Sequence, residues 1–308
     1  MRVLSIAAIQ TKPVPYDVEA TWERFAAQAE TAKELGPEVD IIVAPELLLA
    51  APGEFLVPDP EAETRSAGPI PGVLTDRIAD LARRLKVWLV PGSLLETDGG
   101  NTYNTAIAVS PDGEIVARYR KLFPWRPFET TTPGDSFVTF DIPGRGRIGL
   151  AICFDGSFPE VARQLAWLGA EVIIQPTLTT TRDRAMEIVM SQANAFANQI
   201  YVVNVNGADP SAVGESVIVD PEGTIMQQAR GGEEILYGVL DLDRVTQVRR
   251  YGTHGINRPW AQLHDQEGIL RYPMYGGAHF HPPAWSTLDP DGSRVNQLSA
   301  SRALTAAS

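Results

Sequence analysis

The sequence predicts an α/β protein built from layers of β-sheet and α-helix. Apolar runs typical of buried strands alternate along the chain with segments whose apolar residues recur at helical spacing. Two turn signals, Pro111-Asp-Gly113 and Pro221-Glu-Gly223, mark hairpins between some of the strands. Because hairpins interrupt the alternation, packed layers are favoured over a simple parallel doubly wound sheet.

The individual elements follow from buried runs, turn residues and helix caps. Asp17 is typical of a helix N-cap and Gly36 of a helix end, and a proline-rich loop runs to about residue 71. Predicted strands occupy residues 3–10, 39–45, 87–95, 103–110, 114–121, 137–141, 147–153, 171–175, 200–206, 215–220, 224–229 and 235–240. Predicted helices occupy residues 17–36, 72–86, 159–169 and 182–199, with a short one ending near Tyr251.

The chain divides into one domain and a tail. No linker interrupts residues 1–252, and 308 residues can bury a large core. Residues 253–286 are rich in Gly, Pro, His and aromatics, and the stretch to residue 308 is small and polar. We therefore expect residues 253–308 to form a C-terminal arm that packs on the body or on a partner subunit.

Composition excludes several classes of protein. The formal net charge of −12 argues against binding to nucleic acid or to an anionic membrane surface. A single cysteine excludes an intrachain disulfide and any site built from several cysteines. No apolar run reaches the roughly 20 residues of a membrane span, and the first residues do not resemble a signal peptide. We expect a soluble, cytoplasmic protein.

That single cysteine, Cys153, ends an apolar strand just before residues that break the strand and open a helix. A helix N-terminus lowers the pKa of a nearby thiol and supplies N–H groups for an oxyanion. Taken alone, a lone cysteine is more often a small buried hydrophobe. Its surroundings have to decide between a nucleophile and a core residue.

Two other polar residues also end predicted strands. Glu46 follows Ile-Ile-Val-Ala-Pro, and Lys121 follows Val-Ala-Arg-Tyr-Arg. A carboxylate near Cys153 could take the thiol proton, and an ammonium could favour the thiolate and stabilise an oxyanion. Each residue alone also fits a solvated loop or strand end. Together they predict a catalytic constellation.

These segments resemble the nitrilase superfamily of carbon–nitrogen hydrolases, in order, over about residues 3–250. The matching segments are Ala44-Pro-Glu46-Leu, Tyr119-Arg-Lys121-Leu, Ile152-Cys153-Phe-Asp-Gly-Ser-Phe-Pro-Glu160, Gly-Ala-Glu171, Ala-Phe-Ala-Asn198 and 214–223. The resemblance implies an αββα sandwich and a Glu-Lys-Cys triad. In that triad Glu46 is the general base, Cys153 the nucleophile and Lys121 the cationic stabiliser. The resemblance also implies a homo-oligomer, formed through the helix after Cys153 and the C-terminal arm.

A further carboxylate narrows the subclass. The stretch from Lys121 to Glu129, with Pro133-Gly134 behind it, resembles aliphatic amidases and formamidases. In those enzymes a second glutamate positions the amide and the hydrolytic water, and Glu129 matches it by spacing. Asp155 matches their Cys-x-Asp-Gly turn, so we expect it to form the turn and, secondarily, to serve the substrate.

The residues after Cys153 argue against two relatives. True nitrilases usually have Cys-Trp-Glu, where this chain has Cys-Phe-Asp. N-carbamoyl-D-amino-acid hydrolases place an arginine shortly after the cysteine to hold a carboxylate, where this chain has Gly156 and Ser157. An amide without a carboxylate is therefore the better substrate. The loop from Gln175 to Thr179 is expected to line the acyl pocket, with Trp125 as an aromatic wall.

These expectations define an amidase for small uncharged carboxamides that needs no metal or organic cofactor. Lys121 and the Phe154 backbone N–H would stabilise the oxyanion formed when Cys153 attacks. The open alternatives are nitrile or N-carbamoyl hydrolysis by the same triad, a Cys-His hydrolase, and a catalytically idle binding scaffold.

Two other motifs are interpreted as structural. The run Gly144-Arg-Gly-Arg-Ile-Gly149 fits a dinucleotide fingerprint, but a predicted strand follows it, so it indicates a glycine-rich turn. His279-Phe-His281 lacks an acidic partner at a ligand spacing, so no metal site is expected there.

Overall fold

The computed structural model describes residues 1–53, 61, 65–273, 276–279 and 281. The strands in this part are β1 Val3–Gln10, β2 Ile41–Val43, β3 Trp88–Val90, β4 Ser93–Asp98, β5 Asn101–Val109, β6 Ile115–Arg120, β7 Thr139–Ile142, β8 Gly146–Leu150, β9 Val172–Pro176, β10 Tyr201–Val205, β11 Val217–Val219, β12 Ile225–Gln228 and β13 Glu234–Asp241. The α-helices are α1 Val18–Leu35, α2 Val73–Leu85, α3 Pro159–Trp167, α4 Arg184–Asn198, α5 Leu242–Tyr251 and α6 Pro259–Asp265.

The strands form two sheets of similar design. The first has the order β13-β1-β2-β3-β5-β4, with β6 also paired to β5, and the second has the order β12-β11-β10-β9-β8-β7. In each sheet three neighbouring strands are parallel, β1-β2-β3 and β8-β9-β10, while the outer pairings are antiparallel. Helices connect the parallel strands, as such crossovers require, and hairpins form the rest.

The two sheets pack face to face between two layers of helix. Ile6 and Val43 of the first sheet share one buried cluster with Leu150 and Val203 of the second. On the outer face of the first sheet, α1 and α2 bury a second cluster. On the outer face of the second sheet, α3 and α4 bury a third. This arrangement confirms the predicted αββα sandwich.

The predicted strand at residues 87–95 is two strands. The chain turns at Gly92, whose φ of 85° lies in the left-handed region that glycine tolerates best. A Cβ at Gly92 would lie 1.7 Å from the carbonyl oxygen of Pro45. The turn therefore packs directly against the residue that precedes Glu46, and only a glycine allows that approach.

The C-terminal segment contains a helix that the sequence did not suggest, α6. Trp260 in α6 is 1% exposed, and its indole N–H donates to the carbonyl of Asn198 at 3.1 Å. A helix of this length is too short to show apolar periodicity, and its first residue, Pro259, looks like a break in the sequence. Residues 282–308, the rest of the predicted arm, lie outside the described residues. Within the described part, no helix has the length and apolar character to span a membrane.

Candidate active site

Lys121 lies at the centre of a buried cluster of charge. It directly follows β6, and its backbone N–H donates to Asn104 of β5 at 2.8 Å, so it continues the strand ladder. Its ammonium donates to Oε1 of Glu46 at 2.8 Å and also to Oε1 of Glu129. Lys121 and Glu46 are each 1% exposed, and Glu129 is 9% exposed. The structure thus brings together three of the residues that the sequence singled out.

Glu46 has one fixed and one open carboxylate oxygen. Oε1 accepts from Lys121 and from the side-chain amide of Asn104, both at 2.8 Å. Oε2 is buried and has no hydrogen-bond partner among the described residues. A buried acceptor without a donor is costly, so this oxygen is suited to receive a proton or a hydrogen bond from a substrate or nucleophile. The sequence did not point to Asn104, because a polar residue inside a strand has no distinctive motif.

Glu129 has the same arrangement on the other side of Lys121. Its backbone N–H donates to the carbonyl of Trp125 at 2.9 Å, and the Arg126 guanidinium bonds the carbonyls of Glu129 and Thr131, which closes this loop. Oε2 of Glu129 is buried without a partner in the described chain. Burial raises the pKa of Glu129, although the charge of Lys121 opposes that shift.

Cys153 lies on a strained turn rather than at a strand end. Strand β8 stops at Leu150, and Cys153 opens a 3₁₀ helix, Cys153–Ser157, with a left-handed φ of 45°. Its carbonyl accepts from the side chain of Gln175 at 2.7 Å. The predicted strand 147–153 therefore ends three residues early, at Leu150, whereas the helix predicted at residues 159–169 is confirmed by α3, which begins at Pro159. A left-handed non-glycine residue that neighbours hold in position is common at functional sites.

The pKa of the Cys153 thiol is raised well above its usual value, which corrects the expectation of a lowered one. Burial is the largest cause, the negative charge of Glu46 adds to it, and only Lys121 acts in the opposite direction. For Lys121, burial favours the neutral amine, but the charges of Glu46, Cys153 and Glu129 outweigh it and raise its pKa well above normal. These shifts favour a thiol beside an ammonium, so Cys153 would need a base to act as a nucleophile.

Cys153 opens onto a narrow cleft with about 20 Å³ of free volume, roughly the space of one water molecule. Four other residues that the sequence assigned to the site line it: Trp125, Glu129, Phe154 and Thr179. Leu178, from the predicted Gln175–Thr179 loop, also lines it, and four residues that the sequence analysis missed complete the lining: Thr180, Thr181, Asp183 and Glu187. The missed residues follow β9 or begin α4, and their types carry no signal of a site.

Comparison with known proteins decides the family. The family model for "Carbon-nitrogen hydrolase" matches residues 5–250. The chain belongs to this family. Among curated proteins, this hydrolase is 31% identical over 227 residues to omega-amidase NIT2 of Mus musculus, an alignment that covers 68% of this chain and 80% of the relative. It is 37% identical over 166 residues to a formamidase of Bacillus cereus, covering 52% of this chain and 50% of that protein.

A solved structure supports the same assignment. The hydrolase is similar to Nit3 of Saccharomyces cerevisiae, described as a member of branch 10 of the nitrilase superfamily, with a TM-score of 0.72 and 28% identity. The match covers 80% of this chain and 93% of Nit3. The predicted resemblance to the nitrilase superfamily is confirmed. The chain is a carbon–nitrogen hydrolase of the amidase type.

The structure of the hydrolase does not bring Asp155 to the cleft lining. Its carboxylate is fully buried and accepts three hydrogen bonds, from Tyr119 Oη at 2.7 Å and from the backbone N–H groups of Ile152 and Phe123 at 2.9 Å. Burial raises the pKa of Asp155, and that of its partner Tyr119 rises as well, also mainly through burial. Asp155 thus ties the Cys153 turn to the segment that carries Lys121.

Glu187 supplies the far wall of the cleft. It accepts from the hydroxyl of Thr179, and its Oε2 also accepts from Nη1 of Arg184 at 3.0 Å. Arg184 is 2% exposed, and its guanidinium also reaches Oδ1 of Asn204 at 2.9 Å. The charge of Glu187 is therefore paired with a buried arginine that does not itself line the cleft.

The glycine-rich run at residues 144–149 forms the turn that the sequence predicts. Residues 144–149 belong to the hairpin of β7 and β8, with Gly144 at a φ of 72° in the turn, so they are not a dinucleotide site. In the part of the hydrolase that the structure describes, no group of three His, Cys, Asp or Glu side chains could hold a metal ion.

Proposed function

We propose that this hydrolase cleaves small carboxamides without a carboxylate to the acid and ammonia, through a thioester on Cys153. The observation that carries the proposal is the buried Lys121 ammonium, bonded to both Glu46 and Glu129 and electrostatically coupled to Cys153. A cation held between two carboxylates beside a lone thiol can stabilise an oxyanion while a carboxylate moves protons.

The first half of the reaction forms the thioester. Oε2 of Glu46 takes the proton from Cys153, whose sulfur attacks the amide carbonyl carbon. The oxyanion lies near the Lys121 ammonium and the Phe154 N–H, which has no partner within its own 3₁₀ helix because it belongs to the first turn. Glu46 then returns its proton to the leaving nitrogen, and ammonia departs.

The second half hydrolyses the thioester. A water gives its proton to Glu46 and attacks the acyl carbon, and the thiolate leaves and is reprotonated by Glu46. Glu129 is suited to hold the amide nitrogen and later the water, because it lines the cleft and its Oε2 has no partner among the described residues. A narrow cleft favours small acyl groups, and the absence of a cation in the described lining disfavours a carboxylate.

The test compares one substrate of each class: propanamide, propanenitrile and N-carbamoyl-β-alanine. Ammonia release from propanamide alone, or much faster than from the others, is the expected result. Turnover of the nitrile alone would assign the triad to nitrile hydrolysis, and turnover of the carbamoyl compound alone would assign it to that class. Cys153→Ala protein with an unchanged melting temperature is the control for contaminating hydrolases.

We also propose that the hydrolase is a homo-oligomer that buries the outer face of α3 and α4. Leu168, at the end of α3, is 43% exposed, and Met186, Val189 and Phe196 of α4 are between 44% and 66% exposed. Several exposed apolar side chains on neighbouring helices are typical of an interaction surface. Sedimentation velocity tests this assembly: Val189→Asp should shift the wild-type oligomer toward monomer, and a monomeric wild type contradicts the proposal.

A further inference from the structure

The cleft above Cys153 is acidic. Three lining side chains, Glu129, Asp183 and Glu187, are carboxylates, and no lysine or arginine contributes to the described lining. The cleft is a binding site on independent grounds, because it contains the only cysteine and the buried Glu129, whose Oε2 has no partner among the described residues. The charge of the cleft therefore affects which charged groups the acyl end of a substrate can have.

Two of the three carboxylates are neutralised within the fold. Glu129 is paired with the ammonium of Lys121, and Glu187 with the guanidinium of Arg184. Asp183 is different: it is exposed, it accepts a hydrogen bond from the Thr181 hydroxyl, and it forms no ion pair with any described residue. The free negative charge of the cleft therefore lies at Asp183, on its exposed rim.

Two further arginines lie next to lining residues in the sequence, and neither forms an ion pair with Asp183. Arg126 directs its guanidinium to the carbonyls of Glu129 and Thr131, outside the cleft lining. Arg182 is exposed and also outside the lining. The whole chain carries a net charge of −12, so the long-range field has the same sign as the rim.

We propose that Asp183 makes the hydrolase prefer amides whose acyl end carries an ammonium group. This inference rests on the proposed amidase function and narrows its substrate class. An acyl chain bound to Cys153 leads along the cleft toward the rim, where a terminal ammonium pairs with the Asp183 carboxylate. A terminal carboxylate at the same place meets like charge and is rejected.

The test uses three amides of similar size and different charge: 3-aminopropanamide, butanamide and succinamate. At about pH 7 the amine is protonated and the carboxylate is ionised. In low salt, we expect kcat/KM to fall in the order ammonium, neutral, carboxylate. Asp183→Asn should reduce the ratio of kcat/KM for 3-aminopropanamide to kcat/KM for butanamide by about twofold to fivefold, the effect expected for loss of an exposed ion pair. Added salt should also reduce this ratio in the wild type, because salt screens exposed charges.

Glu34→Gln is the matched control, because Glu34 is an exposed residue of α1 outside the cleft lining and its loss changes the net charge equally. That variant should keep the wild-type ratio. An unchanged ratio in Asp183→Asn, or an equal change in Glu34→Gln, overturns the role of Asp183 while leaving the amidase proposal intact. If the wild type hydrolyses none of the three amides, the amidase proposal itself fails, and this inference fails with it.

Discussion

Two parts of the site are built in opposite ways: the exposed rim of the cleft, and the buried charge cluster of Lys121, Glu46 and Glu129, here called the floor. On the floor, Lys121 and Glu46 are almost entirely buried and fixed by hydrogen bonds to each other and to Asn104. On the rim, Asp183 is exposed and forms no ion pair among the described residues. The difference shows that the core holds the proposed catalytic groups in one geometry, whereas the rim can change without disturbing them.

The floor must be paired because buried charge is costly. Removing one partner of a buried pair leaves an uncompensated charge, which usually destabilises a protein by about 3–5 kcal/mol. An exposed charge at the rim is screened by solvent and contributes far less. Substitutions at the two places should therefore differ in kind, and the following experiments test that contrast from the largest effect to the smallest.

The largest effect is expected for Cys153→Ala. Removing the nucleophile should lower amide turnover by at least about a thousandfold. The substitution removes one sulfur atom and no disulfide, so the melting temperature should change little. Activity near the wild-type level would contradict a thioester mechanism.

Lys121→Met should damage both stability and catalysis. It leaves Glu46 and Glu129 buried beside each other without a cation, so we expect a loss of about 3–5 kcal/mol in the free energy of unfolding, measured in urea. Adding Glu46→Gln should recover part of the stability without restoring turnover. Equal stability of wild type and Lys121→Met would mean that the cluster is not held as a charge network.

Glu46→Gln should separate thiol reactivity from turnover. The Glu46 charge raises the pKa of Cys153, so its removal should lower that pKa and increase the thiolate fraction near pH 8. Alkylation by iodoacetamide should then be faster than in the wild type, while amide turnover falls by about 10²–10⁴ because the base is missing. Slower alkylation would show that Glu46 activates the resting thiol directly.

The smallest of the four effects is expected for Tyr119→Phe, which removes one of the three hydrogen-bond donors to Asp155. The lost hydrogen bond should lower the free energy of unfolding by about 1 kcal/mol, since Oδ2 of Asp155 still accepts from the backbone N–H of Ile152. Because Asp155 ties the Cys153 turn to the Lys121 segment, kcat should fall more than KM rises.

The control is Tyr201→Phe, which removes a hydroxyl that donates to the Asp241 carbonyl at 3.1 Å, away from the cleft. If both variants are less stable but kcat falls only in Tyr119→Phe, the result supports a role for Asp155 in positioning Cys153. If kcat is lost equally in both, the effect is general destabilisation.

The same contrast explains what the sequence could predict. The strands before Glu46 and Cys153 are apolar runs, and the strand before Lys121 follows a hairpin turn signal, so the sheets and the three polar residues could be predicted from the sequence and its resemblance to a family. The pKa of Cys153 could not be predicted from the sequence, because it depends on burial and on a carboxylate from a distant segment. The break at Gly92 depends likewise on the approach of Pro45.

Rim residues are harder to predict for a physical reason. Asp183 and Glu187 belong to a cleft only because the start of α4 lies beside the Cys153 turn, a tertiary contact without a local signature. The role of Asp155 was also only partly predictable. Its motif indicates a turn, but the three donors that hold it come from two separate segments.

The raised pKa of the single cysteine has a consequence for the durability of the protein. Peroxide and other oxidants attack the thiolate, and the thiol is far less reactive. With its charge suppressed by burial and by Glu46, Cys153 stays protonated between turnovers. The resting hydrolase should therefore resist oxidative inactivation, and loss of activity in peroxide should accelerate as the pH is raised toward the pKa of the thiol.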